Sequence, residues 1–193
     1  MKWSTFARNQ SKAFAGMDFF VVPTLTFRRL YGFFIIRHGT RELLHFGVTY
    51  RPTQLWVAEQ LRMAAERLVD VQFMIHDNDP LFSPLIKRTM KSMGITSMPT
   101  AVRSPWENGI AERWVGSVRR ELLDYVIIIN QRHLYKLLEE YVEYYNTDRT
   151  HLSLGKDSPA GRPVQKKQSD DDKLIALPRL GGLHHKYEWR QAA

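Results

Sequence analysis

The chain contains no cysteine among its 193 residues. Disulfides, thiolate metal sites and cysteine nucleophiles are therefore excluded. It also lacks any apolar run near the ~20 residues that a membrane helix needs. The longest, Tyr31-Gly32-Phe33-Phe34-Ile35-Ile36, is of strand length. The first residues, Met1 to Arg8, have no apolar signal-peptide core, so no secretory leader and no membrane partner are expected. Acidic residues are the scarcer charge. Lys and Arg total 28 against 20 Asp and Glu, a net charge of +8. That surplus favours polyanions and points toward nucleic acid. The apolar fraction of 44% is ordinary for a globular domain, and the length suits one domain with an appendage.

Three runs rich in Phe, Val, Ile and Leu, at roughly 16–23, 31–37 and 42–49, read as strands. Their weak alternation predicts burial on both faces, and the short links at Pro23-Thr24 and His38-Gly39-Thr40 predict an antiparallel meander. Residues 54–68 read as a helix, with Thr53 as N-cap and Val57, Ala58, Leu61, Ala64, Ala65 and Leu68 at helical spacing. A fourth strand is expected at 71–76. A helix at 83–93 follows, capped by Ser83 and stopped at Gly94, and then a short strand at 95–98. Ile110, Ala111, Trp114, Val115, Val118 and Leu122 form one helical stripe, on a helix expected to begin near Ser104-Pro105-Trp106. Leu134, Leu138, Tyr141 and Tyr145 form another, on a helix at 131–146. The expected boundaries are a lead-in at 1–15, a core at 16–155 and a tail at 156–193. Part of that tail is expected without fixed structure, because its composition is polar and holds Asp170-Asp171-Asp172. No fold is assigned to the last 20 residues. The order β-β-β-α-β-α-β-α-α predicts an α/β fold with a mixed sheet flanked by helices.

Three acids stand out against this basic background. Asp18 lies in the first apolar run, Asp77 one residue past the fourth strand, and Glu112 on the Trp114 helix. Carboxylates brought together from separate elements suit hard divalent cations, and two such cations can cut or join phosphodiesters. Taken singly, an Asp after a strand is an ordinary turn residue and a Glu in a helix an ordinary helix former. Asp18, between Met17 and Phe19-Phe20, is harder to explain by packing.

Glu112 stands 35 positions after Asp77. With that spacing, the stretch Ser104-Pro105-Trp106-Glu107-Asn108-Gly109-Ile110-Ala111-Glu112-Arg113 and the stretch Tyr144-Tyr145-Asn146-Thr147-Asp148-Arg149-Thr150-His151-Leu152-Ser153-Leu154-Gly155, followed by Ser158-Pro159-Ala160, resemble the Asp-Asp-Glu transposases and retroviral-type integrases, most of all those of bacterial insertion sequences. The resemblance covers about residues 15–163. It implies a ribonuclease-H-like core, a five-stranded sheet of three antiparallel strands with parallel additions. It also implies that Asp18, Asp77 and Glu112 are catalytic and bind two Mg²⁺, with Mn²⁺ as substitute, for DNA cleavage and strand transfer. Asp79 remains an alternative to Asp77, although the spacing favours Asp77. Arg119, seven positions after Glu112, matches a family position that carries Lys or Arg near DNA phosphates, and Gly116 between them leaves room for a close approach.

Lys87, Arg103, Arg113 and Arg120, with Arg88 and Lys91, are candidate phosphate contacts. Asn108 is read as a helix cap or a DNA contact, and Trp106 as a packing residue or a base-stacking one. Arg149 and His151 are expected to serve structure, and His184-His185 to be incidental. The resemblance further implies DNA partners, namely element ends and target, a homo-oligomer on DNA, and a place in the bacterial cytoplasm at the nucleoid. No helix-turn-helix of the kind that reads element ends fits in residues 1–15, and Asp79-Pro80 replaces a glycine-containing turn. These departures lead to the expectation of a truncated or frameshifted reading frame, or a remnant. They keep two alternatives open: a DNA-binding, multimerising protein without catalysis, and a ribonuclease-H-like nuclease that never joins strands.

Overall fold

The computed structural model describes residues 13–101, 108–163 and 165–191. Its centre is β1 (Phe14–Pro23), paired antiparallel with β2 (Arg29–Arg37), which pairs in turn with β3 (Leu43–Thr49). A crossover through α1 (Gln54–Met63) brings β4 (Phe73–His76) parallel to β1, on the side away from β2. A second crossover, α2 (Pro84–Ser92), adds β5 (Thr96–Pro99) parallel to β4. The sheet order is β3-β2-β1-β4-β5, the expected mixed ribonuclease-H-like sheet. Helices α3 (Gly109–Glu121) and α4 (Gln131–Thr147) follow.

Alternate residues of each strand feed two separate cores, as the two-face periodicity of a strand requires. Phe20, Val22, Phe34 and Ile36 pack with Trp114, Val118, Leu134, Leu138 and Tyr141 beneath α3 and α4. Ala15, Met17, Phe33 and Ile35 pack with Val57, Leu61, Ile86 and Met90 beneath α1 and α2. The weakly alternating strand sequences are therefore buried on both sides.

Two local expectations need correction. The helix expected over 54–68 ends at Met63, and residues Ala65–Leu68 form a separate 3-10 turn. The tighter turn buries Leu68 while Ala65 faces solvent, and it lets the Arg67 guanidinium donate to the Leu44 carbonyl at 3.3 Å. Ser83 occupies the cap position of α2 but makes no capping bond; Pro84, in the first turn, removes one of the donors a cap would serve. Thr53 does cap α1, accepting from the Trp56 amide, and Gly94 stops α2 at φ +75°. The expected start of α3 near residues 104–106 lies outside the described residues.

The last 20 residues, left without a fold above, contain an antiparallel hairpin of β6 (Lys173–Arg179) and β7 (His184–Arg190). Polar ties dock it onto α4. Asp148, whose side chain is nearly buried, receives Arg179 at 2.7 Å and Lys186 at 3.8 Å. His184 stacks on Tyr144 at 4.6 Å and bonds the Glu121 carbonyl at 2.8 Å, so this histidine is a docking residue.

The Tyr-Asn-x-x-Arg-x-His stretch holds α4 and its exit in place. Asn146 acts like a peptide group toward edge strand β3, accepting from Leu43 N–H at 2.9 Å and donating to Leu43 C=O at 3.0 Å. Arg149 grips Glu121 at the end of α3 through two parallel bonds of 2.8 and 2.6 Å, and Tyr141 donates to the same carboxylate at 3.0 Å. His151 sets its ring edge-on to Tyr145 at 4.7 Å. Burial alone would push the Glu121 carboxyl up, but the Arg149 bonds and charge outweigh it and hold it below the usual glutamate range.

A depressed carboxyl contributes stability that is present above its unfolded value and lost as pH falls through its folded value. We expect Glu121→Gln to lower stability by about 2 kcal/mol at pH 7, since it leaves Arg149 uncompensated in a half-buried site. The difference from the parental protein should shrink below about pH 4. Urea melts across pH 3–8 check this; a pH-independent difference would mean that the loss is one of packing alone.

Candidate active site

β1 and β4 pair over only three positions, Phe14 with Phe73, Ala15 with Met74 and Gly16 with Ile75. The same register carries Asp18 to the level of Asp77, just where β4 ends. On its other side Asp18 stays paired with Phe34 of β2. Asp18 shares strand parity with Phe20 and Val22, so it faces the α3 layer, and Glu112 lies in the first turn of α3. The fold thus directs three acids from three elements toward one edge of the sheet.

Their mutual influence is visible at Asp18. This half-buried carboxyl is pushed up to about 6. Burial is the main cause, opposed by the Phe19 amide, which donates to Asp18 Oδ1 at 2.7 Å. The negative charges of Asp77, Glu112 and Asp79 add to the rise. Asp77 and Glu112 are themselves exposed. The Asp77 carboxylate accepts from the Asp79 amide at 3.1 Å, and Asp79 accepts from the Leu81 amide at 2.7 Å, so both acids brace the turn that leaves β4. Behind them the buried His76 ring bonds the Asp77 carbonyl at 2.6 Å and Ser97 Oγ at 2.8 Å.

Among the described residues no three His, Asp or Glu side chains stand close enough to hold one ion as they lie. The chemistry of the donors nevertheless fits a hard divalent cation. All are carboxylates, and the like charges of Asp77, Glu112 and Asp79 act on Asp18, which a cation would relieve.

The basic candidates are placed unevenly. Arg113 is exposed beside Glu112. Arg119 is exposed and donates to the Val21 carbonyl at 3.1 Å, which ties it to β1 three residues beyond Asp18. Arg120 folds back over Gly116, where an added Cβ would lie 3.0 Å from its Nη1, so the space expected for a phosphate there is filled by the arginine. Lys87 is exposed on α2, close enough to His76 to act on its charge. Arg103 and Trp106 lie outside the described residues.

Asn108, read above as a cap or a DNA contact, is buried. It precedes α3 without making a capping bond, and it presses on β1 so closely that a Cβ at Gly16 would fall 2.7 Å from its Oδ1. His38 and Arg41, at the turn between β2 and β3, were not singled out from the sequence. Nothing in a Arg-His-Gly-Thr-Arg turn signals that it will fold in beneath α3. Burial, aided by Arg41, lowers the His38 ring to about 4 and keeps it neutral near pH 7.

A carboxyl raised from about 3.8 to 6 costs stability once pH exceeds its unfolded value, and the cost is full above its folded value. Asp18→Asn keeps an acceptor for the Phe19 amide and removes the charge. We expect it to stabilise the fold by about 2 kcal/mol at pH 7.5, with the gain vanishing below about pH 4. Thermal melts of both proteins at the two pH values decide it; equal stability at pH 7.5 would show that Asp18 is not under electrostatic pressure.

Comparison with known proteins agrees with this fold. Residues 93–159 match the model of the family described as integrase core domain. The putative transposase InsD for insertion element IS2E of Escherichia coli (strain K12) is 36% identical over 69 residues, which is 36% of this chain and 32% of that protein. The match therefore spans about a third of that relative's length. The catalytic core domain of BIV integrase superposes with a TM-score of 0.58 at 19% identity, over 77% of this chain and 91% of that one. The HTLV-2 integrase catalytic core domain, in complex with magnesium in a dimeric form, gives 0.63 at 12% identity, over 78% and 95%. The catalytic domain of Mos1 mariner transposase gives 0.60 at 13%, over 72% and 74%. At these identities the structural likenesses establish the fold.

Proposed function

We propose that the chain carries a core of the DDE transposase and integrase type and is the catalytic core of an enzyme that cleaves DNA at the ends of a mobile element and joins them to target DNA. The observation that carries the reading is the alignment of Asp18 with Asp77 at the splitting edge of β1 and β4, with Glu112 acting on the same carboxyl.

In this reading Asp18, Asp77 and Glu112 hold Mg²⁺, or Mn²⁺ in its place. Divalent ions in such a site activate a water or a 3′-hydroxyl and stabilise the leaving oxygen. The chain's own residues do the positioning. β2 keeps Asp18 rigid, the turn bonds around Asp79 hold Asp77 at the strand end, and the Glu121–Arg149 grip sets the axis of α3 and with it Glu112. Arg113, Arg119 and Lys87 supply positive charge around an acidic centre, which suits a phosphate backbone. Arg119 is held to β1 by its bond to the Val21 carbonyl, three residues beyond Asp18.

The partners proposed are element-end and target DNA and further copies of the chain; the HTLV-2 core described above in a dimeric form supports self-association. No helix among the described residues is long and apolar enough to cross a membrane. A bacterial cytoplasmic setting at the nucleoid fits the E. coli relative. A second reading, DNA binding without cleavage, draws on Asp79-Pro80, which stands where the resembling enzymes have a glycine-containing turn.

We expect Asp77→Asn to reduce Mg²⁺- or Mn²⁺-dependent nicking and strand joining to background. Because Asp77 is exposed and Asn keeps an acceptor for the Asp79 amide, stability should change by less than about 0.5 kcal/mol. The test is a nicking and joining assay on duplexes bearing the element ends, run beside a thermal melt. A fully active variant would remove Asp77 from the site and transfer the role to Asp79. Nicking without joining by the parental protein would favour a nuclease, and binding without nicking would favour the second reading.

A further inference from the structure

A cavity of about 360 Å³ lies against the face of α3 next to Glu112, and the function proposed above uses only Arg113 of its lining. Arg113, Trp114 and Ser117 of α3 form one wall. Thr150 and its neighbours after α4 form another, and Arg41 closes it from the β2–β3 turn. Its lining reaches solvent at Arg113 and at Leu152, which is 87% exposed.

Cationic and hydroxyl groups dominate the polar lining of this cavity. Arg149 lines it, but its charge is met by Glu121. Arg41 and Arg113 have no such counter-charge among the described residues, and burial and the Arg113 charge both disfavour the Arg41 cation. Arg41 Nη1 is buried without a hydrogen-bond partner among the described residues, and orphaned buried donors are rare. Two guanidiniums and the hydroxyls of Ser117 and Thr150 form a donor set for a multidentate oxyanion.

The backbone adds an independent observation. Arg41 sits in the left-handed region at φ +65°, where a glycine would cost nothing and an arginine is strained. Strain of that kind persists only where the surrounding structure holds it.

We propose that this cavity binds a phosphate group through Arg41 and Arg113, and that its source is a DNA backbone phosphate flanking the one at the acidic site. The choice of DNA rests on the function proposed above. Arg113 follows Glu112 on α3, so the cavity and the acids lie on neighbouring faces of one helix, roughly 10 Å apart. A strand held here would be positioned for the carboxylates without touching them.

The test uses the full chain with Arg41→Gly and Arg113→Gln. The first also relieves the backbone, and the second alters an exposed residue. Affinity for a labelled duplex is read by fluorescence anisotropy over a range of salt, melting temperature is read in parallel, and inorganic phosphate is titrated by calorimetry. Each variant should lose about tenfold in duplex affinity, and its slope of log K against log salt should fall by about 0.9, the signature of one lost phosphate contact. Arg41→Gly should melt no lower than the parental protein while showing this loss. If the parental protein binds the duplex and both variants match its affinity and slope, the site is not a DNA phosphate site and the proposal falls. If the parental protein does not bind duplex at all, the DNA reading has failed, and the phosphate titration decides. Binding lost in both variants assigns the cavity to a free phosphate. Binding that is absent, or unchanged in the variants, overturns the site itself.

Discussion

The short parallel pairing of β1 with β4 is the constraint on which the rest of the molecule depends. β1 is ten residues long and is held by β2 along nearly its whole length, yet β4 accompanies it for only three positions. Past Gly16 the sheet opens, and the strand continues alone on that side. Crevices at the carboxyl ends of parallel strands, where the topology changes direction, are where α/β sheets bind ligands. Asp18 stands at that split with one flank rigid and the other open, and Asp77 is delivered to the same level because β4 stops there. A longer pairing would have filled the opening with backbone bonds.

The second requirement is that α3 arrive at a fixed height over the sheet, since it carries both Glu112 and Arg113. Apolar packing through Trp114 and Val118 keeps the helix on the sheet, but such packing is non-directional. The direction comes from polar ties at its far end. Glu121 is held by Arg149 and Tyr141, and Asn146 locks α4 to the edge strand β3 by copying a peptide group. At the near end Asn108 presses on Gly16, where only hydrogen leaves enough room. The hairpin of β6 and β7 adds its Arg179 and His184 to the same region. Half-buried ion pairs contribute modestly to net stability, but a misplaced partner costs more than the pair contributes, which makes them good determinants of position.

The charge distribution follows from this geometry. A chain with a net charge of +8 concentrates acids at one strand edge, and burial, with the repulsion of its acidic neighbours added, raises Asp18 to about 6. One helix face away, two arginines stand without counter-charges among the described residues. Like charges crowded on both sides of α3 are costly in isolation. They make sense together if cations relieve one cluster and phosphate the other.

Much of this was legible in the amino-acid order. The hydrophobic periods of β1 to β3, the stripes of α3 and α4 and the Thr53 cap are local patterns, and local patterns survive into the fold because neighbouring residues alone produce them. The positions of Asp18 in β1, Asp77 just past β4 and Glu112 in the first turn of α3 could be read for the same reason. The hairpin could not, because most of its side chains are exposed and its hold on α4 comes from ion pairs and one histidine stack rather than from an apolar period. The break at Ala64, the burial of Asn108 and the inward turn of Arg41 were equally silent, since each depends on what another part of the chain places against it. The sequence by itself determined the elements, their order and which acids stood at their ends. Only the tertiary structure decided which strand ends met, where the sheet split and which cations were left without partners, because those are properties of residues far apart in the chain brought to one place by packing.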